Sequence, residues 1–104
     1  MKHEAVKRIL AAPGAPEPAG PYAQAVEAGG LVFCSGQIPV RADGTAERGS
    51  AARQTQAVLE NLFAVLRAAG CGPEQVVKCN VYLSDMAHFA EMNEVYRAAF
   101  GAHC

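Results

Sequence analysis

Residues 22–36 read YAQAVEAGGLVFCSG, and the topology of the chain follows from this segment. Gly29-Gly30 separates the segment Tyr22–Ala28 from the segment Leu31–Gly36. Two consecutive glycines supply the positive φ angles that a two-residue turn between antiparallel strands requires. The stretch therefore predicts a β-hairpin.

The residues before the hairpin predict a strand and a loop. Val6–Leu10 is a short candidate strand, and residues 13–21 contain four prolines among small and polar residues. Because proline removes a backbone donor, such a stretch forms neither a helix nor a central strand. After the hairpin, Arg41–Thr45 has the composition of a turn, with Gly44 free to adopt a left-handed conformation.

Two helices and one further strand are predicted downstream. The first helix runs from Ala51 to Ala69, with Ser50 as N-cap and Gly70 as its stop, because apolar residues recur at three-and-four spacing. Alternation in Val76–Leu83 predicts a half-buried strand. Ser84 or Asp85 then caps a second helix, which spans Met86–Phe100.

Asn93 is the polar member of an otherwise apolar stripe on the second helix. The stripe has the helical spacing i, i+4, i+7, i+11 and contains Phe89, Asn93, Tyr96 and Phe100. A buried amide is costly unless its donors and acceptor are paired. Asn93 therefore either pairs with backbone or faces a polar cavity, and pairing is the more common outcome.

Length and charge narrow the function classes. The 104 residues allow a single domain, 1–104, whose small core would benefit from burial against a partner. Nine basic and ten acidic side chains give a net charge of −1, which argues against a nucleic-acid partner. We expect a cytoplasmic protein, since no signal-peptide core or membrane-spanning stretch is visible. The spacing of its four cysteines and three histidines argues against a zinc site.

Several short sequence motifs, in matching order and spacing, resemble the RidA (YjgF) family over nearly the whole chain. They are GPYAQAV at 20–26, LVFCSGQIP at 31–39, AAG at 68–70, VVK at 76–78, VYLSDM at 81–86 and FAEMNEVY at 89–96. The resemblance implies an α+β, chorismate-mutase-like fold, with a mixed sheet backed by two helices. It also implies a homotrimer with ligand clefts between subunits.

The implied activity is hydrolysis of reactive enamines and imines, such as 2-aminoacrylate, 2-iminobutanoate and 2-iminopropanoate, to 2-oxo acids and ammonia, without metal or cofactor. The resemblance places Tyr22, Ser35 and Gly36 in the cleft as catalytic and substrate-binding residues, and Asn93 beside them as a substrate-binding residue. Without the resemblance, Tyr22 would be an aromatic ring packed beside a proline loop. Ser35-Gly36 would be an ordinary strand end.

The sequence departs from the family at its end. Relatives continue from the second helix into a Pro-Ala-Arg segment, whose arginine grips the substrate carboxylate, and into two closing strands. Phe100 is followed here by Gly101, Ala102, His103 and Cys104. We therefore expect a chain of this extent to lack those strands and to bind a 2-imino acid poorly. A ligand-binding or chaperone-like module is the alternative function, and an endoribonuclease or translation inhibitor is a third.

Overall fold

The computed structural model describes residues 7–101. Its elements are strands β1 (Lys7–Leu10), β2 (Ala25–Ala28) and β3 (Leu31–Cys34), followed by helices α1 (Ala51–Ala68) and α2 (Phe89–Phe100). Short 3-10 turns lie at Pro73–Gln75 and Met86–His88. This order confirms the predicted α+β class. The first residue of the predicted first strand, Val6, lies outside the described residues.

The predicted hairpin is confirmed. Gly29 and Gly30 join β2 to β3 with φ angles of 60° and 79°, values that side chains with a Cβ rarely adopt. The paired strands are shorter than predicted, since the ladder ends at the Ala25–Cys34 pair. One more backbone hydrogen bond continues beyond it, from the Ser35 N–H to the Gln24 carbonyl at 3.0 Å.

The sheet has the order β1-β2-β3, and both of its strand pairs are antiparallel. The expected mixed sheet needs a parallel pair, and residues 7–101 contain none. That expectation came from the family resemblance and is corrected here to an antiparallel sheet. A single isolated bridge between Val40 and Ala46 closes the loop before α1.

The core lies between one face of this sheet and α1. Leu10, Ala25 and Cys34 are opposite one another in the register and share this inner face. They pack with Ala64 and Val65 of α1, and Val65 is only 1% exposed. Burial raises the pKa of the Cys34 thiol, and the nearby thiols of Cys71 and Cys79 raise it further.

The outer face of the sheet carries apolar side chains that remain exposed. Ile9, Val26 and Phe33 are opposite one another in the register, on the face away from the core. Ile9 is 67% exposed and Phe33 is 58% exposed. Contiguous exposed apolar side chains often mark a surface that another molecule covers.

Helix α1 forms as predicted. The Ser50 hydroxyl oxygen accepts a hydrogen bond from the Arg53 N–H at 3.2 Å, which satisfies one of the free donors in the first turn. Gly70 has a φ of 78°, so it ends the helix in the left-handed conformation that favours glycine.

The predicted strand over Val76–Leu83 is wrong. No strand is assigned there, although Val76 itself has an extended backbone. Val77 is 86% exposed and Val81 is 48% exposed, although both belong to the face that the alternation predicts to be buried, so the pattern does not produce a half-buried face. The physical reason is that a strand needs a neighbour for its backbone hydrogen bonds. None of the described residues pairs with this segment as a neighbouring strand.

Helix α2 and the turn before it occupy the predicted range. An Asp85 carboxylate oxygen accepts from the Ala87 N–H at 2.9 Å and begins the turn. Phe100 is 2% exposed and meets the Phe63 ring of α1 edge-on, with centroids 5.4 Å apart. Within the described range, neither helix combines the length and the apolar character that crossing a membrane would require.

Candidate functional site

A cavity of about 90 Å³ lies between the proline-rich loop and the chain that follows β3. One wall is formed by the loop, and the other by the segment 36–40. Its lining residues are Pro16, Glu17, Pro18, Ala19, Tyr22, Gln24, Gly36, Gln37, Ile38 and Val40. The cavity thus brings together two of the predicted site residues, Tyr22 and Gly36. Its size suits a small group rather than a large ligand.

The carboxamide of Gln24 holds the loop wall in place. Its oxygen accepts from the Ala12 N–H at 2.6 Å, and its nitrogen donates to the Ala12 carbonyl at 2.9 Å. The same nitrogen donates to the Pro16 carbonyl at 3.0 Å, with a longer contact of 3.5 Å to the Ala15 carbonyl. A loop rich in proline has few backbone donors of its own. Gln24 supplies donors that the loop lacks.

A second amide holds the opposite wall. Asn61 of α1 is 5% exposed, and its nitrogen donates to the Val40 carbonyl at 2.6 Å and to the Ile38 carbonyl at 3.3 Å. Sequence reasoning missed both Asn61 and Gln24. The available signal for Asn61 was its place between Ala57 and Ala64, at helical spacing on a buried face.

A buried carboxylate ties the second wall to the start of α1. Glu47 is 8% exposed and forms an ion pair with Arg41, while its second oxygen lies 3.5 Å from Arg53 Nε. The Glu47 N–H also donates to the Pro39 carbonyl at 2.8 Å. The hydrogen bond from Arg41, followed by that from the Gly49 N–H, lowers the pKa of the Glu47 carboxyl.

Tyr22 stands at the cavity with its hydroxyl group oriented. The Ala19 N–H donates to the Tyr22 hydroxyl oxygen at 3.2 Å, and the side chain is 50% exposed. Because the oxygen accepts this bond, the hydroxyl proton is left to donate elsewhere. Tyr22 can therefore act as a hydrogen-bond donor to a molecule in the cavity.

Neither the backbone conformation at position 36 nor the packing of the described residues around it requires a glycine. Its φ lies outside the left-handed range, and a Cβ placed on it would meet nothing within 4 Å. Every other described glycine either has a positive φ or would bring a Cβ into contact. The Gly36 N–H makes no hydrogen bond with any group in residues 7–101. Open space and a free N–H suit the close approach of a ligand.

The other two predicted site residues do not line this cavity. The Ser35 hydroxyl donates to the Ala23 carbonyl and so joins the ends of β2 and β3. Asn93 lies on α2, is half-buried, and its side chain makes no hydrogen bond with the described part of the chain. The backbone-pairing role considered for Asn93 is therefore absent from this range.

The cavity can orient a small ligand but offers it no cationic side chain. Tyr22 and the Gly36 N–H are available donors, and Glu17 is the one carboxylate in the lining. No lysine or arginine of residues 7–101 lines the cavity. An anionic ligand would therefore be held here by neutral donors alone.

A three-stranded antiparallel sheet that packs on helix α1, with α2 packed on α1 and a small cavity at the hairpin's open end, defines a small α+β binding protein or enzyme. The family model described as endoribonuclease L-PSP matches residues 12–104. The chain belongs to this family, which is also called the YjgF or RidA family.

Individual relatives agree with this assignment. A RutC family protein from Pyrococcus horikoshii is 46% identical over 97 residues, which cover 92% of this chain and 77% of the relative. Protein mmf2 from Schizosaccharomyces pombe, named as mitochondrial, is 53% identical over 78 residues, covering 75% of this chain and 61% of the relative.

The crystal structure of Escherichia coli TdcF with bound serine superposes with a TM-score of 0.86 at 38% identity. The match covers 92% of this chain and 76% of TdcF. The name of TdcF assigns it provisionally to the reactive intermediate deaminases.

Proposed function

We propose that this protein hydrolyses reactive 2-enamines and 2-imines to 2-oxo acids and ammonia, with 2-aminoacrylate, 2-iminobutanoate and 2-iminopropanoate as substrates. The observation that carries the proposal is Gly36, a glycine with open space beside its Cα and an unpaired N–H at a cavity of about 90 Å³. Family membership and the serine bound to TdcF, a small amino acid, support the same substrate size.

The reaction depends more on the orientation of the substrate and the attacking water than on a strong acid or base. A 2-enamine first tautomerises to the 2-imine, with one proton moving from nitrogen to carbon. Water then adds across the C=N bond to give a carbinolamine, whose nitrogen takes up a proton. The C–N bond breaks as the hydroxyl loses its proton and the carbonyl forms, and ammonia is released. In the proposal, the Gly36 N–H binds a carboxylate oxygen of the substrate, and the Tyr22 hydroxyl donates a hydrogen bond to the reacting group or to the attacking water. Neither role needs a metal or cofactor, and none is proposed.

Ser35 and Asn93 take supporting places in this proposal. The Ser35 hydroxyl keeps lone pairs available after donating to the Ala23 carbonyl, so it can accept a hydrogen bond from substrate or water. Asn93 does not reach the cavity of its own chain. We propose that it lines a cleft formed with a neighbouring subunit.

The neighbouring subunit belongs to a proposed homotrimer. The exposed apolar outer face of the sheet, with Ile9 at 67% and Phe33 at 58% exposure, supports assembly through this face. Light scattering should give three chains per particle at micromolar concentration. Phe33→Lys should dissociate the particle, whereas a monomer for the wild type would contradict the assembly.

The activity is tested by coupling the protein to a threonine dehydratase, which releases 2-iminobutanoate, and by following 2-oxobutanoate against spontaneous hydrolysis. Tyr22→Phe removes the donor and should slow the catalysed rate by about tenfold or more. Tyr82→Phe is the matched control, since Tyr82 is 88% exposed and does not line the cavity. No acceleration, either by this chain or by a version lengthened through the Pro-Ala-Arg segment of its relatives, would contradict the proposal and favour the binding module.

An endoribonuclease is kept as the alternative because the family's description names one. The net charge of −1 provides no basic field for RNA. RNA cleavage with salt-dependent binding, alongside no imine hydrolysis, would favour this alternative. A cytoplasmic location also stays a proposal, since a relative is named as mitochondrial.

A further inference from the structure

The Tyr22 side chain is held by its own neighbours in the chain. The Tyr22 N–H donates to the Gly20 carbonyl at 2.8 Å, which closes a three-residue γ-turn around Pro21. Proline suits the centre of this turn, because its ring fixes φ at about −65°. The Tyr22 hydroxyl oxygen in turn accepts from the Ala19 N–H at 3.2 Å. The hydroxyl group is therefore oriented by the same loop from which the side chain starts.

The Tyr22 ring lies directly against Gly20. A Cβ placed on Gly20 would be 3.3 Å from the ring atom Cε2 and 3.5 Å from Cδ2. The shorter distance is tighter than an ordinary contact between carbon atoms, so an alanine here would push the ring aside by a few tenths of an ångström. Gly20 has no positive φ, and its backbone conformation does not require glycine. What requires glycine at position 20 is the place of the ring.

Burial does not fix the ring in this place. Tyr22 is 50% exposed, and exposed side chains change rotamer rapidly unless a local contact holds them. The contact with Gly20 and the hydrogen bond from the Ala19 N–H are such contacts. At 3.2 Å, this bond is at the long end of the usual range for an N–H donor and an oxygen acceptor. A small displacement of the ring is therefore enough to break it.

We propose that Gly20 is a positioning residue, which sets the place of the Tyr22 hydroxyl at the cavity by leaving room for the ring. Gly20 does not itself line the cavity, whereas Tyr22 lines it together with Gly36. Gly20 thus acts through Tyr22. The catalytic part of this inference rests on the proposed function, and the placement of the ring can be measured without any activity.

The placement of the ring is measured by nuclear magnetic resonance on the full chain. The wild type should show a nuclear Overhauser effect between the Gly20 Hα and the Tyr22 ring protons. Gly20→Ala should move the Ala19 amide proton toward its chemical shift in Tyr22→Phe, because both changes remove the same hydrogen bond. In the Tyr22→Phe background, Gly20→Ala should move this proton much less. No Overhauser effect in the wild type, or an equal movement in both backgrounds, would overturn the inference.

The effect on catalysis is measured in the dehydratase assay, with a length of the protein that accelerates 2-oxobutanoate formation. A misplacement of 1 Å can cost about 100-fold in rate, so a shift of a few tenths of an ångström in Gly20→Ala should cost about three- to tenfold. The values of kcat and kcat/KM should fall together, because the Tyr22 hydroxyl is proposed to act on the reacting group or the attacking water. Gly20→Ala should slow Tyr22→Phe no further.

Gly14→Ala is the matched control in the same loop. Its Cβ would also lie 3.3 Å from a neighbour, the Cβ of Ala64, but Gly14 does not line the cavity, so the rate should not change. Gly20→Ala should be as stable in urea as the wild type, since the exposed ring can move aside.

The outcomes separate this inference from the proposed function. A Gly20→Ala variant as fast as the wild type, or one that slows Tyr22→Phe by the same factor, would overturn the inference and leave the deaminase intact. No acceleration by any length of the protein would contradict the deaminase instead. The Ala19 amide proton would then decide alone whether Gly20 positions the Tyr22 hydroxyl.

Discussion

Replacing Gln24 with alanine should destabilise the protein by about 2 to 3 kcal/mol. Three hydrogen bonds of 2.6, 2.9 and 3.0 Å are lost, two to Ala12 and one to Pro16. Each contributes about 1 kcal/mol, and water replaces part of the loss because the loop is partly exposed. Ala12 itself is 3% exposed, so its two backbone groups are the least accessible to replacement water.

The change is measured as the free energy of unfolding in urea, with Gln56→Ala as the matched control. Gln56 is an exposed glutamine of α1 whose one side-chain bond, to Glu60, is 3.3 Å long. The control should change stability by less than about 0.5 kcal/mol. Gln24→Glu keeps an acceptor for the Ala12 N–H but loses both donors, so it should be destabilised as well. A Gln24→Ala variant as stable as the control would refute the stabilising role of the Gln24 hydrogen bonds to the loop.

Substitutions at Asn61, Glu47 and Asn93 test the roles of three further side chains. Asn61→Asp should cost more stability than Asn61→Ala, which itself costs about 1 to 3 kcal/mol, because a carboxylate would face the Val40 carbonyl; urea unfolding of both variants checks the order. The pKa of Glu47 is lowered from its ordinary value of 4.5, chiefly by Arg41, so its stabilising contribution is complete above pH 4.5 and is lost as the pH falls through the folded-state pKa. The stability difference between wild type and Glu47→Gln should therefore shrink in acid, and a difference independent of pH would contradict the ion pair. Asn93→Leu should melt within a few degrees of the wild type, since it breaks no hydrogen bond among the described residues, yet it should lower imine hydrolysis if a neighbouring subunit's cleft needs the amide.

Local patterns predicted the hairpin and both helices, because their causes are local. The glycine pair at 29–30, the Ser50 cap and the left-handed Gly70 each act within a few residues, and the structure has all of them. The strand prediction for Val76–Leu83 was wrong because strand formation depends on a neighbouring strand, which can lie far away in sequence. Alternation showed that the segment could join a sheet, and the described residues contain no strand beside it.

The candidate site was predicted only in part, for a similar reason. Tyr22 and Gly36 belong to the short motifs that carry the family resemblance, and both line the cavity. The supports of its walls were missed, since Gln24 and Asn61 act on carbonyls 8 to 12 and 21 to 23 positions away. Such partners become visible only when the chain is folded. Asn61 could nevertheless have been noticed in the sequence, because it is a polar residue on a helix face that is otherwise apolar.

The imine-hydrolysis rate of Gly36→Ala, measured together with the stability of the variant, decides whether the substrate lies against Gly36. The new Cβ meets nothing within 4 Å and needs no positive φ, so the variant should be as stable as the wild type, or more stable by about 0.4 to 1 kcal/mol. The methyl group would occupy space in which the substrate is proposed to lie. The rate of 2-oxobutanoate formation above the spontaneous rate should therefore fall by at least about tenfold, which corresponds to about 1.4 kcal/mol in activation free energy. A stable Gly36→Ala variant that hydrolyses 2-iminobutanoate as fast as the wild type would show that the substrate does not lie against Gly36.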